Sequence, residues 1–165
     1  MSLEIERKFL VTDDDYKKDA ERSLYWQGYL SDDPERIVRV RICGGSAFLT
    51  IKSKKDGLEH YEFEYPIPLP DAEILLSLCK KPIIRKYRYT LAYKGLIWQV
   101  DEFLDENQGL VIAEVELEDS NQTFEKPPWA GKEVTSDPKY YNVSLIHHPY
   151  NMWDKKPEQV KMGCR

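Results

Sequence analysis

Side chains of like charge recur two residues apart along the chain. The sets are Glu4/Glu6 followed by Lys8, Arg39/Arg41, Lys52/Lys54, Glu62/Glu64, Lys86/Arg88 and Glu114/Glu116, with Asp101 alone in the same phase. On an extended strand, residues two apart face the same side. Like-charged neighbours there repel unless an opposite charge, water or a ligand compensates. One such couple is ordinary solvent-facing strand. A habit shared by six strands asks for another explanation. Lys8, Arg39, Arg41, Lys52, Lys54, Lys86 and Arg88 would together surround a highly anionic ligand. Arginine offers a rigid fork to paired phosphate oxygens and lysine a mobile point charge. So many converging cations suit a chain of phosphates better than a single one. Bare, Glu4, Glu6, Glu114 and Glu116 would repel that polyanion. A bound Mg²⁺ or Mn²⁺ resolves the conflict, since these ions accept carboxylate and phosphate oxygens together and lower the pKa of attacking water. Phosphoryl transfer needs this positioning and charge stabilisation more than a covalent nucleophile.

The elements that must carry these residues are mostly strands. Residues 3–11 alternate, with Leu3, Ile5, Phe9 and Val11 on one face and Arg7 as the odd member. Thr12 is expected to cap a short helix beginning near Asp13. Residues 24–30 are aromatic enough for a strand despite Gly28, and Asp32-Asp33-Pro34 reads as a turn. Residues 36–42, 47–54 and 59–65 alternate around turns at Gly44-Gly45 and Asp56-Gly57. Pro66, Pro68 and Pro70 close that run. Asp71 to Leu78 reads as a helix with Ile74, Leu75 and Leu78 at helical spacing, ended by Pro82. Residues 83–91 and 96–103 form a hairpin around Lys94-Gly95, and 110–118 is the last long strand. Ser136 before Pro138 is expected to open a short helix reaching about Leu145. This is β-rich material, and such a sheet either packs on another layer or closes on itself. The faces opposite the charges carry Tyr61, Phe63, Tyr65, Tyr87, Tyr89, Trp98 and Val100, which need cover, most simply helices outside. The charged faces then line a water-filled interior.

Bulk composition bounds the reading. The 165 residues suit one domain, with 146–165 a tail of undefined role. No apolar run approaches the roughly 20 residues of a membrane-spanning helix. Glu4, Glu6, Arg7 and Lys8 interrupt any early apolar region, so no secretory leader and a cytoplasmic location are expected. A net charge of -5 argues against a basic nucleic-acid coat. It carries no spatial information and leaves a basic interior open. Cys43, Cys79 and Cys164 form no CxxC, and the histidines have no metal-ligand spacing to them. No P-loop or GxSxG is present. Trp26, Trp98, Trp129 and Trp153 are expected to pack rather than stack on a base. His60 shares the phase of Glu62 and Glu64 and is an acid–base candidate, with exposure at a strand end the duller alternative. Arg36 and Arg85 point away from the basic couples.

Glu4-Ile5-Glu6-Arg7-Lys8 has the ExExK pattern, and the ordered set through Gln27-Gly28-Tyr29-Leu30, Arg39-Val40-Arg41, Lys52-Ser53-Lys54, Glu62-Phe63-Glu64, Lys86-Tyr87-Arg88, Asp101, Glu114-Val115-Glu116 and Trp129 to Thr135 resembles the CYTH superfamily, the triphosphate tunnel metalloenzymes. The resemblance spans roughly residues 3–145. It implies a mainly β (α+β) fold: a closed eight-stranded antiparallel β-barrel tunnel with helices outside and a triphosphate-bearing small molecule inside. It implies metal at Glu4, Glu6, Glu114 and Glu116, with Glu62, Glu64 and Asp101 as further metal or water-orienting groups. Phosphate would be held by Lys8, Arg39, Arg41, Lys52, Lys54, Lys86 and Arg88, with Lys132 closing over it. Glu64, Asp101 and Lys8 form the expected catalytic set, and Glu133 a supporting ion pair. The length resembles the compact bacterial type without a helical accessory domain. The leading expectation is hydrolysis of inorganic triphosphate, with nucleoside triphosphates as further substrates. The family also implies class IV-type adenylyl cyclase and thiamine triphosphatase as alternatives, and a non-catalytic polyphosphate-binding module is the remaining one. No membrane or specific nucleic-acid partner is expected, and a homodimer is among the expectations.

Overall fold

The computed structural model describes residues 2–160; Cys164 lies outside the described residues. The chain runs β1 (Ser2–Val11), β2 (Glu21–Asp33), β3 (Arg36–Cys43), β4 (Ser46–Lys54), β5 (Glu59–Ile67), α1 (Leu69–Leu78), β6 (Ile84–Tyr93), β7 (Leu96–Phe103), β8 (Val111–Leu117) and β9 (Ala130–Glu133), with short 3-10 turns between and after them. The strand order is β5-β4-β3-β2-β6-β7-β8-β1, and β1 pairs back onto β5, which closes an eight-stranded barrel. Every pairing is antiparallel. Closure needs β1 to serve two neighbours along one edge. Ser2 to Ile5 pair with Glu62 to Glu59 of β5, while Phe9 and Val11 pair with β9. The β6–β7 hairpin turns at Lys94 (φ 49°) and Gly95 (φ 82°), the paired left-handed residues that a two-residue turn requires.

Several local expectations are corrected. β2 reaches Asp33, and the turn falls at Pro34-Glu35, because β3 pairs with it as far as Asp33↔Arg36. Thr12 caps nothing: its hydroxyl donates to the Trp129 carbonyl at 3.1 Å, and the first 3-10 turn is Asp15–Lys17. Helix α1 begins at Leu69, and its buried side is Ala72 with Leu75 and Leu76 packed beside it. Ile74 and Leu78, expected on the packed stripe, are 63% and 67% exposed. The Ser136–Leu145 helix is instead two 3-10 turns, Pro138–Tyr140 and Asn142–Ile146, and Asp137 caps the first through the Lys139 N–H at 3.2 Å. β9 was not legible, being four residues long and without alternation.

Outside the barrel, α1 packs on β2, β3 and β4 over Val40, Ala47, Leu30 and Leu49. Gly28 is there because a Cβ would stand 2.8 Å from Cys79 Cβ and Sγ. Tyr16, Phe124 and Trp129 cover the outer faces of β1 and β6 to β8, meeting Phe9, Tyr89 and Trp98 edge-on or tilted. On the outer face of β5, Tyr61 and Phe63 are half-buried, but Tyr65 is 52% exposed, against the expectation of cover over all three. Trp26 is likewise part-exposed rather than packed.

Inside, the charged phase turns apolar at one end. Leu10, Tyr29, Ile84, Phe103 and Ile112 point inward there and pack with Tyr140, Leu145, Ile146, Tyr150 and Trp153. The chain from Val134 to Trp153 therefore fills one end of the barrel, and residues beyond Leu145 are part of that core. No helix among the described residues is long and apolar enough to cross a membrane.

Candidate active site in the barrel interior

The rest of the bore is a cavity of about 1050 Å³. Period two along six strands brings the basic and acidic couples to its wall: Lys8, Arg39, Arg41, Lys52, Lys54, Lys86 and Arg88 with Glu4, Glu6, Glu62, Glu64, Glu114 and Glu116. The inward phase of β2 and β4 adds Tyr25, Tyr29 and Thr50, which the alternation could have revealed. Tyr141, Asn142 and Ser144 also line it; they come from irregular chain with no periodic signal.

The charges are interleaved. Lys8 Nζ donates to Glu114 Oε1 at 2.6 Å and Glu6 Oε1 at 3.1 Å. Lys52 pairs with Glu4 and lies 3.7 Å from Glu6. Arg41 Nη2 and the Thr50 hydroxyl both reach Glu64 Oε2 at 3.3 Å. Tyr25 lies between two guanidiniums, Arg41 at 5.2 Å and Arg88 at 5.1 Å from its ring centre. Asp101 stands behind the wall, fully buried and not itself lining the cavity. Arg88 grips it with Nε to Oδ1 at 2.7 Å and Nη2 to Oδ2 at 2.8 Å, and Lys86 Nζ donates to Oδ2 at 2.8 Å.

Protonation follows from these surroundings. Burial opposes the Glu6 carboxylate, but Lys52 and Lys8 hold it down at about 2. Burial, and then the charges of Glu4 and Glu6, push Glu116 up. Burial and Glu62 push Glu4 up against the pull of Lys52. Burial draws Lys86 down to about 8, although Asp101 opposes it. Burial, Arg39 and Arg88 together lower Arg41. Glu4 and Glu116 are thus short of compensating cation, and Arg41 is short of compensating carboxylate. The Nε atoms of Arg39 and Arg41 are buried without a hydrogen-bond partner among the described residues.

No group of three or more His, Cys, Asp or Glu side chains is gathered for a metal ion among the described residues. Lys8 and Lys52 occupy the carboxylates instead. The donor set nevertheless fits a hard divalent cation: oxygen-only ligands, crowded enough to raise Glu4 and Glu116. Lys132 is exposed on β9 and does not line the cavity. Its neighbour Glu133 pairs with Arg7 at 2.5 Å, outside the barrel. His60 lines the cavity with Nδ1 buried and without a partner among the described residues; burial and Lys52 lower its pKa. Arg36 pairs with Asp33 and Arg85 with Asp105, both away from the wall.

The CYTH domain model matches residues 2–150. The chain is 50% identical over 151 residues to an inorganic triphosphatase of Acetivibrio thermocellus, covering 91% of this chain and 97% of that protein. It is 37% identical over 147 residues to an inorganic triphosphatase of Nitrosomonas europaea, covering 86% and 95%. A crystal structure of an inorganic triphosphatase superposes with a TM-score of 0.65 at 32% identity, covering 88% of this chain and 95% of that one. Fold, charged interior and sequence agree: the chain belongs to the CYTH family of triphosphate tunnel metalloenzymes and is of the bacterial inorganic triphosphatase-like type.

Proposed function

We propose that the protein hydrolyses inorganic triphosphate to pyrophosphate and phosphate with Mg²⁺ or Mn²⁺. The observation that carries this reading is the cationic wall, where the Nε atoms of Arg39 and Arg41 are buried without partners and Arg41 is crowded by Arg39 and Arg88. Such a wall is stable with a multivalent anion against it. The names of the two bacterial relatives support the same substrate.

Arg39, Arg41, Lys52, Lys54, Lys86 and Arg88 hold the phosphate oxygens. Glu4, Glu6, Glu114 and Glu116, with Glu62, would hold the divalent ion, which would supply charge neutralisation at the phosphates and acidification of water. Lys8 bridges Glu6 and Glu114 and would supply positive charge to the phosphates beside these carboxylates. Glu64 is oriented by Arg41 and Thr50 through Oε2, leaving Oε1 to accept a proton from water. The water oxygen bonds to a terminal phosphorus, the bridging P–O bond breaks, and the electron pair leaves on pyrophosphate. Asp101, with both oxygens taken by Arg88 and Lys86, is a positioning residue rather than a metal or proton-transfer group.

The test is phosphate release from triphosphate, ATP and thiamine triphosphate, with Mg²⁺, Mn²⁺ or EDTA, read beside cyclic AMP formation. Metal-dependent release, greatest for inorganic triphosphate, is expected. Cyclic AMP with pyrophosphate from ATP would instead identify a cyclase. Triphosphate binding without turnover would identify a binding module.

A further inference from the structure

The strongest unassigned contact in the cavity comes from the segment that fills the barrel end. Asn142 opens the 3-10 turn Asn142–Ile146, whose Leu145 and Ile146 are sunk in the apolar plug. Its side chain reaches back into the bore. Asn142 Oδ1 accepts from Lys86 Nζ at 2.8 Å and from Gln27 Nε2 at 3.3 Å. Gln27, fully buried, also donates from Nε2 to the Tyr29 hydroxyl at 2.9 Å. Both groups facing Oδ1 are donors, so the amide orientation is set by its surroundings.

We infer that Asn142 is a positioning residue for triphosphate binding, acting through Lys86; this rests on the function proposed above. An ammonium has three N–H bonds in tetrahedral array. Asp101 Oδ2 takes one and Asn142 Oδ1 a second. That leaves the third for an anion in the cavity that Lys86 lines. A lysine stem with four rotatable bonds would otherwise wander. The acceptor is neutral, so it aims the ammonium without cancelling the charge that meets phosphate. A carboxylate there would aim it equally well and weaken its hold on an anion. The C-terminal segment thus supplies part of the site as well as the plug, and the shared acceptor ties Lys86 to Gln27 and Tyr29 on β2.

A double-mutant cycle tests this. Inorganic triphosphate binding is measured by calorimetry in EDTA for the wild type, Asn142→Ala, Lys86→Met and the double variant, with thermal unfolding of each. If Asn142 acts through Lys86, Asn142→Ala weakens binding about tenfold in the wild type and less than about twofold once Lys86 is gone. Equal losses in both backgrounds would overturn the inference. Asn142→Asp supplies the second measurement and carries the test if the alanine variant does not fold. It is expected to keep kcat within about threefold of wild type while raising KM for triphosphate. A kcat loss of tenfold or more with KM unchanged would equally overturn it. A wild type that neither binds nor hydrolyses triphosphate refutes the functional reading itself. A wild type that does both, with equal losses in the two backgrounds, refutes only the role of Asn142.

Discussion

Asp101 stands behind the cavity wall with both oxygens taken by Arg88 and Lys86. Its two oxygens pair with Lys86 and Arg88 in a buried setting, one negative charge against two positive ones. Removing one partner of such a cluster strands charge away from water, which costs roughly 3–5 kcal/mol. Asp101→Asn is expected to lose about that much in urea unfolding at neutral pH. Burial opposes its ionised form, but Arg88 and Lys86 win and hold the carboxyl below its ordinary value. The sign follows: this stability is fully present above about pH 4, the ordinary Asp value, and is lost as pH falls through the lower folded value. The wild type should lose stability over that acid range, and Asp101→Asn should show a shallower dependence. Equal acid-side slopes would refute the assignment. Arg39 is the opposite case. Its Nε has no partner among the described residues and like charges are near. Arg39→Ala should leave the unliganded unfolding midpoint unchanged or higher, while KM for triphosphate rises by about tenfold or more. A large fall in the unliganded midpoint would show that Arg39 is structural.

At the scale of elements, the site depends on contacts made on the far side of the sheet. β2 carries Gln27 and Tyr29 inward and is backed by α1 across Gly28. A Cβ at Gly28 would meet Cys79 Cβ and Sγ at 2.8 Å and Leu76 Cδ1 at 3.0 Å. Gly28→Ala should therefore destabilise by about 1–3 kcal/mol through overpacking, readable in urea unfolding. A neutral outcome would mean that α1 moves away from the barrel freely. The long strands were legible because period two survives wherever one face meets charge and the other meets apolar cover. β9 and the 3-10 turns were not. Four residues show no period, and Ala130 to Glu133 are held by pairing with β1, distant in sequence. Ile74 and Leu78 mislead for a related reason: helical spacing marks an apolar stripe, but the sheet selects the side that packs.

For the whole molecule, the unliganded fold gathers like charges inside a barrel whose net charge is -5. On the function proposed above, triphosphate would offset the repulsion of Arg39 and Arg88 on Arg41, a divalent cation would offset that among Glu4, Glu6 and Glu116, and each bound ion would offset the charge of the other. Triphosphate with Mg²⁺ should therefore raise the unfolding midpoint by more than the sum of the two shifts seen separately. At a hundred times Kd, linkage stabilises by about 2.7 kcal/mol. Additive shifts in differential scanning fluorimetry would argue against a shared site. Net charge, a sum without positions, argued against a basic nucleic-acid coat and said nothing of the interior. The arrangement of charge points towards anionic ligands.

Sequence by itself determined which side chains share a face. Alternation is a property of the extended backbone, so Lys8, Arg39, Arg41, Lys52, Lys86, Arg88 and the paired glutamates were readable as one lining before any fold was known. The resemblance supplied closure into a barrel. Only the tertiary structure decided which charges meet. Lys8 finds Glu114 across 106 residues of sequence, and Lys86 finds Asn142 across 56. It also set Asp101 behind the wall, left Lys132 outside it, and sent the irregular tail into one end of the bore. Those outcomes depend on strand register, barrel closure and the packing of non-periodic chain, and none of these is encoded in the local spacing of residues.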